Sequence, residues 1–235
     1  MNILAIGAHP DDIELSCAGT LARYAELGDT LFVAVFTCGD MGDLHVPPDK
    51  LAQVRKAEAQ ASADIVGASL LWPAITDELV FPNETQRQVM IDLLRQADPD
   101  VIFTHSPNDY HPDHRYVSQL VFDSYFQKGL PHLPGLTRPA CRFGQAQVYY
   151  MDNLAGIEFV PTEYVDITKA IDTKRKMLNC HQSQIKPMQQ LAATNLLEIM
   201  ETQSRFRGFA AGCQYAEGFR RLDAFQRGLT RRVLP

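Results

Sequence analysis

The chain has 235 residues, of which 46% are hydrophobic and 21% charged, with a formal net charge of −6. That length and apolar fraction suffice for a sizeable core, so neither a disordered chain nor a disulfide-stapled miniprotein is indicated. An acidic balance also argues against a nucleic-acid partner, which calls for a basic face.

Residues Asn2 to Gly7 are a short apolar run that reads as a buried parallel strand. A helix is expected from about Asp12 to Leu27, stopped at Gly28-Asp29. Thr30 to Thr37 reads as a second strand, followed by a glycine-bearing loop, Cys38 to Asp43, that continues through Pro47-Pro48. A helix from about Asp49 to Val66 ends at Gly67, and Ser69 to Trp72 is a short third strand. The next helix runs from about Asn83, its expected N-cap, to Ala97, and Asp98-Pro99 ends it. Strand four covers about Asp100 to Thr104, and a helix follows from about His114 to Gln127. Gly129 to Pro139 holds three prolines and reads as a loop or flap. Gln147 to Tyr150 is a fifth strand, with shorter strand pieces at Phe159-Val160 and Tyr164 to Asp166. Two long helices cover about Thr168 to Cys180 and Pro187 to Arg205. Alternating strands and helices imply an α/β, Rossmann-like, mostly parallel sheet with helices on both faces and a helical C-terminal subregion. No repeat, low-complexity tract or linker interrupts this order, so a single domain over residues 1–235 is expected.

Cys17, Cys38, Cys141, Cys180 and Cys213 are widely spaced and form no CxxC, which points to reduced thiols. No basic n-region and long apolar run precede the first strand, so no signal peptide is expected. No stretch is apolar over enough residues to span a bilayer, and the expected location is the cytoplasm, with no membrane partner. Arg220, Arg221, Arg227, Arg231 and Arg232 make the C-terminus basic, which reads as a solvated surface or a subunit contact.

The chemistry concentrates at two strand ends. Ala8-His9-Pro10-Asp11-Asp12 follows the first strand, and Asp109-Tyr110-His111-Pro112-Asp113-His114 follows the fourth. In open α/β sheets, ligands collect at the carboxyl ends of strands. Four of the seven histidines, His9, His105, His111 and His114, lie there, as do Asp11, Asp12, Asp109 and Asp113. A lone histidine at a strand end is usually structural, and His45 and His132 are read that way. Histidine and carboxylate together are the ligand set of a catalytic zinc with an open position. The same set serves iron(II). Asp11 and Asp113 each also fit as helix N-caps, a role worth about 0.5–2 kcal/mol.

These two motifs resemble those of the LmbE-like, or PIG-L, family of zinc-dependent N-deacetylases. The N-terminal motif departs slightly, with Ile13 after the aspartate pair and Glu14 one place later, and Cys17-Ala18-Gly19 stands where a more glycine-rich run is usual. Thr37-Cys38-Gly39-Asp40, the Arg55-x-x-Glu58 helix, His181-Gln182-Ser183-Gln184 and Tyr215-Ala216-Glu217-Gly218-Phe219 are further points of likeness. The resemblance implies that His9, Asp12 and His114 ligate zinc, or another divalent metal such as iron(II), and that Asp11 is the general base. His111 would be protonated and would stabilise the oxyanion or protonate the leaving amine, and Asp113 would orient or charge-tune His111. Arg55 would contact the polar part of the substrate, with a surface ion pair to Glu58 as the plain alternative. Asp109 would bind a sugar hydroxyl or support His111. His105 and His181 have either a supporting or a structural role.

The function implied is hydrolysis of the N-acetyl amide of an N-acetylglucosamine-type sugar or conjugate, giving acetate and a free amine. An amidase acting on a thiol conjugate is a variant of it. A nucleotide-binding α/β module is disfavoured because Gly7-Ala8-His9-Pro10 lacks a G-x-G-x-x-G cradle. A non-catalytic metal-binding protein is disfavoured because a structural site needs no spare base. The family likeness also implies a homo-oligomer, with trimers and hexamers as possibilities.

Overall fold

A computed structural model describes residues 1–134, 136–142, 146–192, 195–224 and 234–235. Its first half alternates as the sequence suggests: β1 (Asn2–Gly7), α1 (Asp12–Ser16), α2 (Ala18–Glu26), β2 (Thr30–Val35), α3 (Pro48–Ile65), β3 (Ser69–Leu71), α4 (Glu84–Ala97), β4 (Val101–Thr104) and α5 (Pro112–Ser124). The second half holds β5 (Gln147–Met151), β6 (Glu163–Asp166), α6 (Ile171–Leu178), α7 (Gln182–Ala192), α8 (Leu196–Ala211) and β7 (Ala216–Arg221).

The strands form one sheet in the order β3-β2-β1-β4-β5-β7-β6. The first five are mutually parallel, while β7 runs antiparallel to both β5 and β6. Strand side chains alternate between faces, and β1 shows the result. Ile3 and Ala5 enter one core with Leu21, Ala63, Met177 and Met200, so α2, α3, α6 and α8 cover that face. Leu4 and Ile6 enter the other, under Met90 and Leu94 of α4 and Val117 and Val121 of α5. Both faces of β1 are thus buried, which explains its continuous apolar run.

From β1 the chain moves to β2 and β3 on one side, then returns to place β4 on the other. The crevice between the ends of β1 and β4 is therefore the switch point where open α/β sheets bind ligands. Both His/Asp motifs emerge there.

Several expected elements change on inspection. The helix expected over Asp12 to Leu27 is broken at Cys17 (φ −143°, ψ 9°), giving α1 and α2. α5 begins two residues early, at Pro112, whose fixed φ and missing N–H suit a first helical position. Phe159-Val160 is not a strand. The stretch from Pro187 to Arg205 is not one helix: Pro187 lies inside α7, and a separate α8 starts at Leu196 with Asn195 as N-cap. β7, which brings Glu217 into the core, was not anticipated as a strand. Asn83 caps α4 as expected, accepting from the Gln86 amide at 3.0 Å. Of the basic C-terminal residues, Arg220 lies over the rings of Tyr150 and Phe159, while Arg227, Arg231 and Arg232 fall outside the described residues.

The Glu217 carboxylate accepts from the backbone N–H groups of Gly19 (2.9 Å) and Thr20 (2.7 Å) and from the Thr20 hydroxyl (2.6 Å). It also pairs with Lys174 Nζ at 2.5 Å. A carboxylate at the N-terminus of α2 satisfies donors that have no partner inside the helix. This pair ties β7 and α6 to the helix that follows α1. No helix among the described residues is long and apolar enough to cross a membrane.

Candidate active site

The turn after β1 is short and tight. The His9 amide donates to Asp12 Oδ2 at 2.7 Å, and Asp11 is held at φ 117°, a conformation that favours glycine. Strain of this kind in a non-glycine residue costs on the order of 1–3 kcal/mol and clusters at functional sites. The turn makes two successive carboxylates diverge. Asp12 points at the histidines of the β4 loop, while the largest electrostatic influences on Asp11 besides burial are Asp12, His181 and Glu14.

Three residues bring donor atoms together in the crevice. His9 Nδ1 lies 3.1 Å from His114 Nε2 and 3.5 Å from Asp12 Oδ2, and His114 Nε2 lies 3.3 Å from Asp12 Oδ1. Ligands 2.0–2.1 Å from a tetrahedral zinc stand roughly 3.3–3.4 Å apart. The spacing suits one small cation, and the groups close enough to share one include His9/His111/His114 and Asp12/His105/His114. The same groups also shift one another's protonation. Against the opposing effect of burial, Asp12 and Asp109 push His114 up to about 9. His9 is likewise raised well above its usual value by Asp113, Asp12 and Asp77 in spite of burial. Asp12 is held well below the carboxylate range by His114 and His105 although burial works against it. Without a metal, these carboxylates draw protons onto the ligand histidines.

Each ligand histidine has a carboxylate behind it. His9 Nε2 lies 3.1 Å from Asp77 Oδ1 and 3.4 Å from Asp113 Oδ2, and His114 Nδ1 lies 3.0 Å from Asp109 Oδ1. Such partners orient a metal-binding imidazole and raise its basicity. The Asp113 and Asp109 carboxylates also have partners other than His111. The Asp113 carboxylate faces His9 and accepts from the Glu78 amide at 2.9 Å; it is not hydrogen-bonded to the His111 ring. Asp109 Oδ1 is occupied by His114 and by the His111 amide at 3.0 Å. Nor does Asp113 cap the helix.

The cap of α5 is His111 itself, whose Nδ1 accepts from the Asp113 amide at 3.2 Å. An accepting Nδ1 leaves the proton of the neutral ring on Nε2. Burial, His9 and His114 all lower the pKa of His111, so this neutral form is favoured near pH 7. The Nε2–H is directed toward the mouth, where Glu78 Oε1 stands 3.4 Å away. Asp77 and Glu78 escaped the sequence reading. They follow the short strand β3 on the same sheet edge, but the stretch Pro73 to Leu79 carries no histidine to draw notice.

Asp11 is buried, and its carboxyl is pushed up to about 7 by burial and by the adjacent Asp12. His181 reaches this part of the site from the turn before α7. Its Nε2 lies 3.2 Å from Glu14 Oε1, which also accepts from the Ser62 hydroxyl at 2.5 Å. His105 Nε2 lies 2.9 Å from the Ala8 amide and 3.1 Å from Asp12 Oδ2, and its ring stacks on His114. It braces the two strand ends against each other.

Arg55 is only 2% exposed. Its Nη2 donates to Gln184 Oε1, and its Nε has no partner. The expected ion pair with Glu58 is not among those of the described residues, since Glu58 accepts instead from the Ser183 amide and hydroxyl. The guanidinium lies under the loop after β2, where a Cβ on Gly39 or Gly42 would come within 2.5 or 2.6 Å of it. It also helps to lower the pKa of Asp77, after the larger effect of His9. A buried cation therefore stands beside the site. His45 and His132 are exposed and take no part in it.

Comparisons with known proteins bear on the family and the fold. A family model described as "PIG-L: GlcNAc-PI de-N-acetylase" matches residues 4–125. The diacetylchitobiose deacetylase of Thermococcus kodakarensis is 26% identical over 93% of this chain and 82% of its own length. The 4-oxalmesaconate hydratase of Pseudomonas putida is 25% identical over 75% of this chain and 71% of its own length. Among solved structures, the N,N'-diacetylchitobiose deacetylase of Pyrococcus horikoshii superposes with a TM-score of 0.80 at 25% identity, covering 98% of this chain and 87% of that one.

Proposed function

From the premise that the chain belongs to the PIG-L (LmbE-like) family, we propose that it is a metal-dependent N-deacetylase of an N-acetylglucosamine-type sugar or conjugate, with residues 1–235 acting as one domain. The observation that carries this reading is the convergence of His9 Nδ1, Asp12 and His114 Nε2 at 3.1–3.5 Å beside a further carboxylate, Asp11. These three residues would hold the metal, zinc or another divalent ion. Bound there, it would supply a Lewis acid and acidify a coordinated water.

The chain's own residues divide the remaining work. Asp11 takes a proton from the attacking water and, being buried, holds it away from solvent. His111 donates a hydrogen bond from Nε2–H, fixed by the cap of α5, to the oxygen on which negative charge develops, and the departing nitrogen takes the proton that Asp11 holds. Asp77, Asp113 and Asp109 keep the two ligand imidazoles in the rotation that leaves their inner nitrogens free for the metal. Arg55 offers its unpartnered N–H to a polar or anionic part of the substrate.

Arg55 also favours a second reading. A buried cation with no ion pair among the described residues suits a small anionic substrate, and one relative bears the name 4-oxalmesaconate hydratase, so the second reading is a hydratase. One experiment separates the two. Metal content is measured on purified protein, then amine release from N-acetylglucosamine, diacetylchitobiose and an inositol conjugate, with and without chelator. Ultraviolet loss of 4-oxalmesaconate is followed in parallel. Chelator-sensitive amine release supports the deacetylase; hydration without amine release overturns it.

A further inference from the structure

The first turn of α7 decides what surrounds Arg55. Glu58 stands three residues after Arg55 on α3, the spacing at which a helical ion pair forms. It is diverted: one Glu58 oxygen accepts from the Ser183 amide at 2.9 Å and the other from the Ser183 hydroxyl at 2.6 Å. The next residue, Gln184, supplies a neutral acceptor instead, bonded to Arg55 Nη2. Arg55 Nε has no partner, and no ion pair to Arg55 occurs among the described residues. Arginine stays protonated in such surroundings, so a full positive charge is buried here with no counter-charge in contact. It also borders the turn that carries His9 and Asp12. A Cβ on Gly39 would stand 2.5 Å from Arg55 Nη1 and 3.0 Å from Pro10 Cδ, so guanidinium and turn meet at that glycine.

Leaving a buried charge unpaired is strongly destabilising. Here two adjacent side chains maintain that state, one by removing the nearest carboxylate and one by offering an uncharged acceptor. We propose that Ser183 and Gln184 keep Arg55 free for a carboxylate on the substrate, which makes Gln184 a specificity-determining residue. The substrate class is then an N-acyl amino sugar that also bears a carboxylate. The sugar rests on the deacetylase reading, and the carboxylate on the surroundings of Arg55 alone. A guanidinium presents parallel N–H groups that match a carboxylate. One guanidinium balances one negative charge. Asp77 is close enough for Arg55 to help lower its pKa, and it opposes a second negative charge, so a phosphate dianion fits less well.

The test uses the zinc-loaded full chain at fixed ionic strength and three readouts. Turnover is compared on the methyl and carboxymethyl glycosides of N-acetylglucosamine, in both anomers, which differ by one carboxylate. Succinate is titrated calorimetrically as a non-reacting probe, and melting temperatures are recorded. The wild type should prefer a carboxymethyl glycoside through a lower KM. Gln184→Glu gives Arg55 a counter-charge of nearly the same shape. It should cut both that preference and succinate affinity by about 10–100-fold, the range for a hydrogen bond to a charged group. The loss should sit in KM rather than kcat. The same variant should melt higher than the wild type, because the buried charge is now paired; a merely structural Gln184 would make it melt lower. Gln184→Met, neutral and of similar length, should keep the preference. If Gln184→Glu fails to fold, Ser183→Ala carries the test: Glu58, freed from the hydroxyl, can turn to Arg55, and the preference should fall. Equal losses in Gln184→Glu and Gln184→Met, or none in Gln184→Glu, overturn the assignment. Succinate binding that falls in Gln184→Glu, with no turnover of any glycoside, supports the carboxylate site and sinks the deacetylase reading. Equal turnover of methyl and carboxymethyl glycosides, with succinate binding untouched by Gln184→Glu, does the reverse.

Discussion

Glu217→Gln is the most direct test of what holds the catalytic edge in place. In the native protein, the carboxylate accepts from two α2 amides and the Thr20 hydroxyl and neutralises Lys174 at 2.5 Å, with both charged side chains 2% exposed. The amide can still accept from Thr20, but Lys174 loses its counter-charge where water cannot reach it. Breaking a buried pair from one side costs about 3–5 kcal/mol, because the remaining charge is uncompensated. In a chain of this size, each kcal/mol shifts Tm by about 2–4 °C, so a fall of about 6–20 °C is expected. The double variant Lys174→Met/Glu217→Gln removes the stranded charge and should recover most of the loss. Denaturant titration and calorimetry at equal protein concentration measure both. Metal content below the transition should be unchanged, since no proposed ligand is touched. A single variant within 1 kcal/mol of wild type, or a double variant no more stable than the single, would refute the reasoning.

Further predictions concern the site itself. Asp11→Asn should keep its metal and lose turnover by about 10^2–10^4-fold, as expected on removing a general base; near-normal turnover removes Asp11 from that role. In chelator-treated protein the same substitution should be stabilising in a pH-dependent way. The folded pKa of Asp11, about 7, exceeds the ordinary 3.8, so ionisation favours the unfolded chain from pH 4 upward. The cost grows to about 4 kcal/mol above pH 7. The variant should gain on the wild type at pH 8 and match it at pH 4, and a gain independent of pH contradicts the assignment. Asp77→Asn should weaken metal binding about 10–100-fold by loosening His9, measured by competition with a chelating dye; unchanged affinity would remove Asp77 as a support. Gly39→Ala, at φ 62° with its Cβ 2.5 Å from the Arg55 guanidinium, should raise KM with metal content intact. A normal KM would show that substrate does not depend on where Arg55 sits.

The parts of this molecule that were readable from sequence are those whose cause is local. β1 announces itself because both its faces are buried and every residue from Ile3 to Ile6 must be apolar. His9, Asp12 and His114 were readable because strand ends and motif spacing put them on one edge, and the family likeness named them. Asp77 was not, because its role depends on the order β3-β2-β1 folding its loop over His9, and nothing in its own neighbours encodes that. The further partners of Asp109 and Asp113 were hidden for a related reason: nearness in sequence pointed to His111, while the turn into α5 also brings their carboxylates to His114 and His9. The break at Cys17 and the antiparallel β7 likewise depend on tertiary partners, the pocket around Glu217 and the free edge of β5.

His111 does two things with one ring. It caps α5 through Nδ1, and by doing so it decides where its own proton sits. His114 stands three residues later, in the first turn of the same helix. Fraying of that single turn would therefore displace both side chains from the crevice together, so on the proposed roles the two are gained or lost as a pair. Amide exchange at Asp113 should accordingly report metal occupancy, although the amide itself touches no metal.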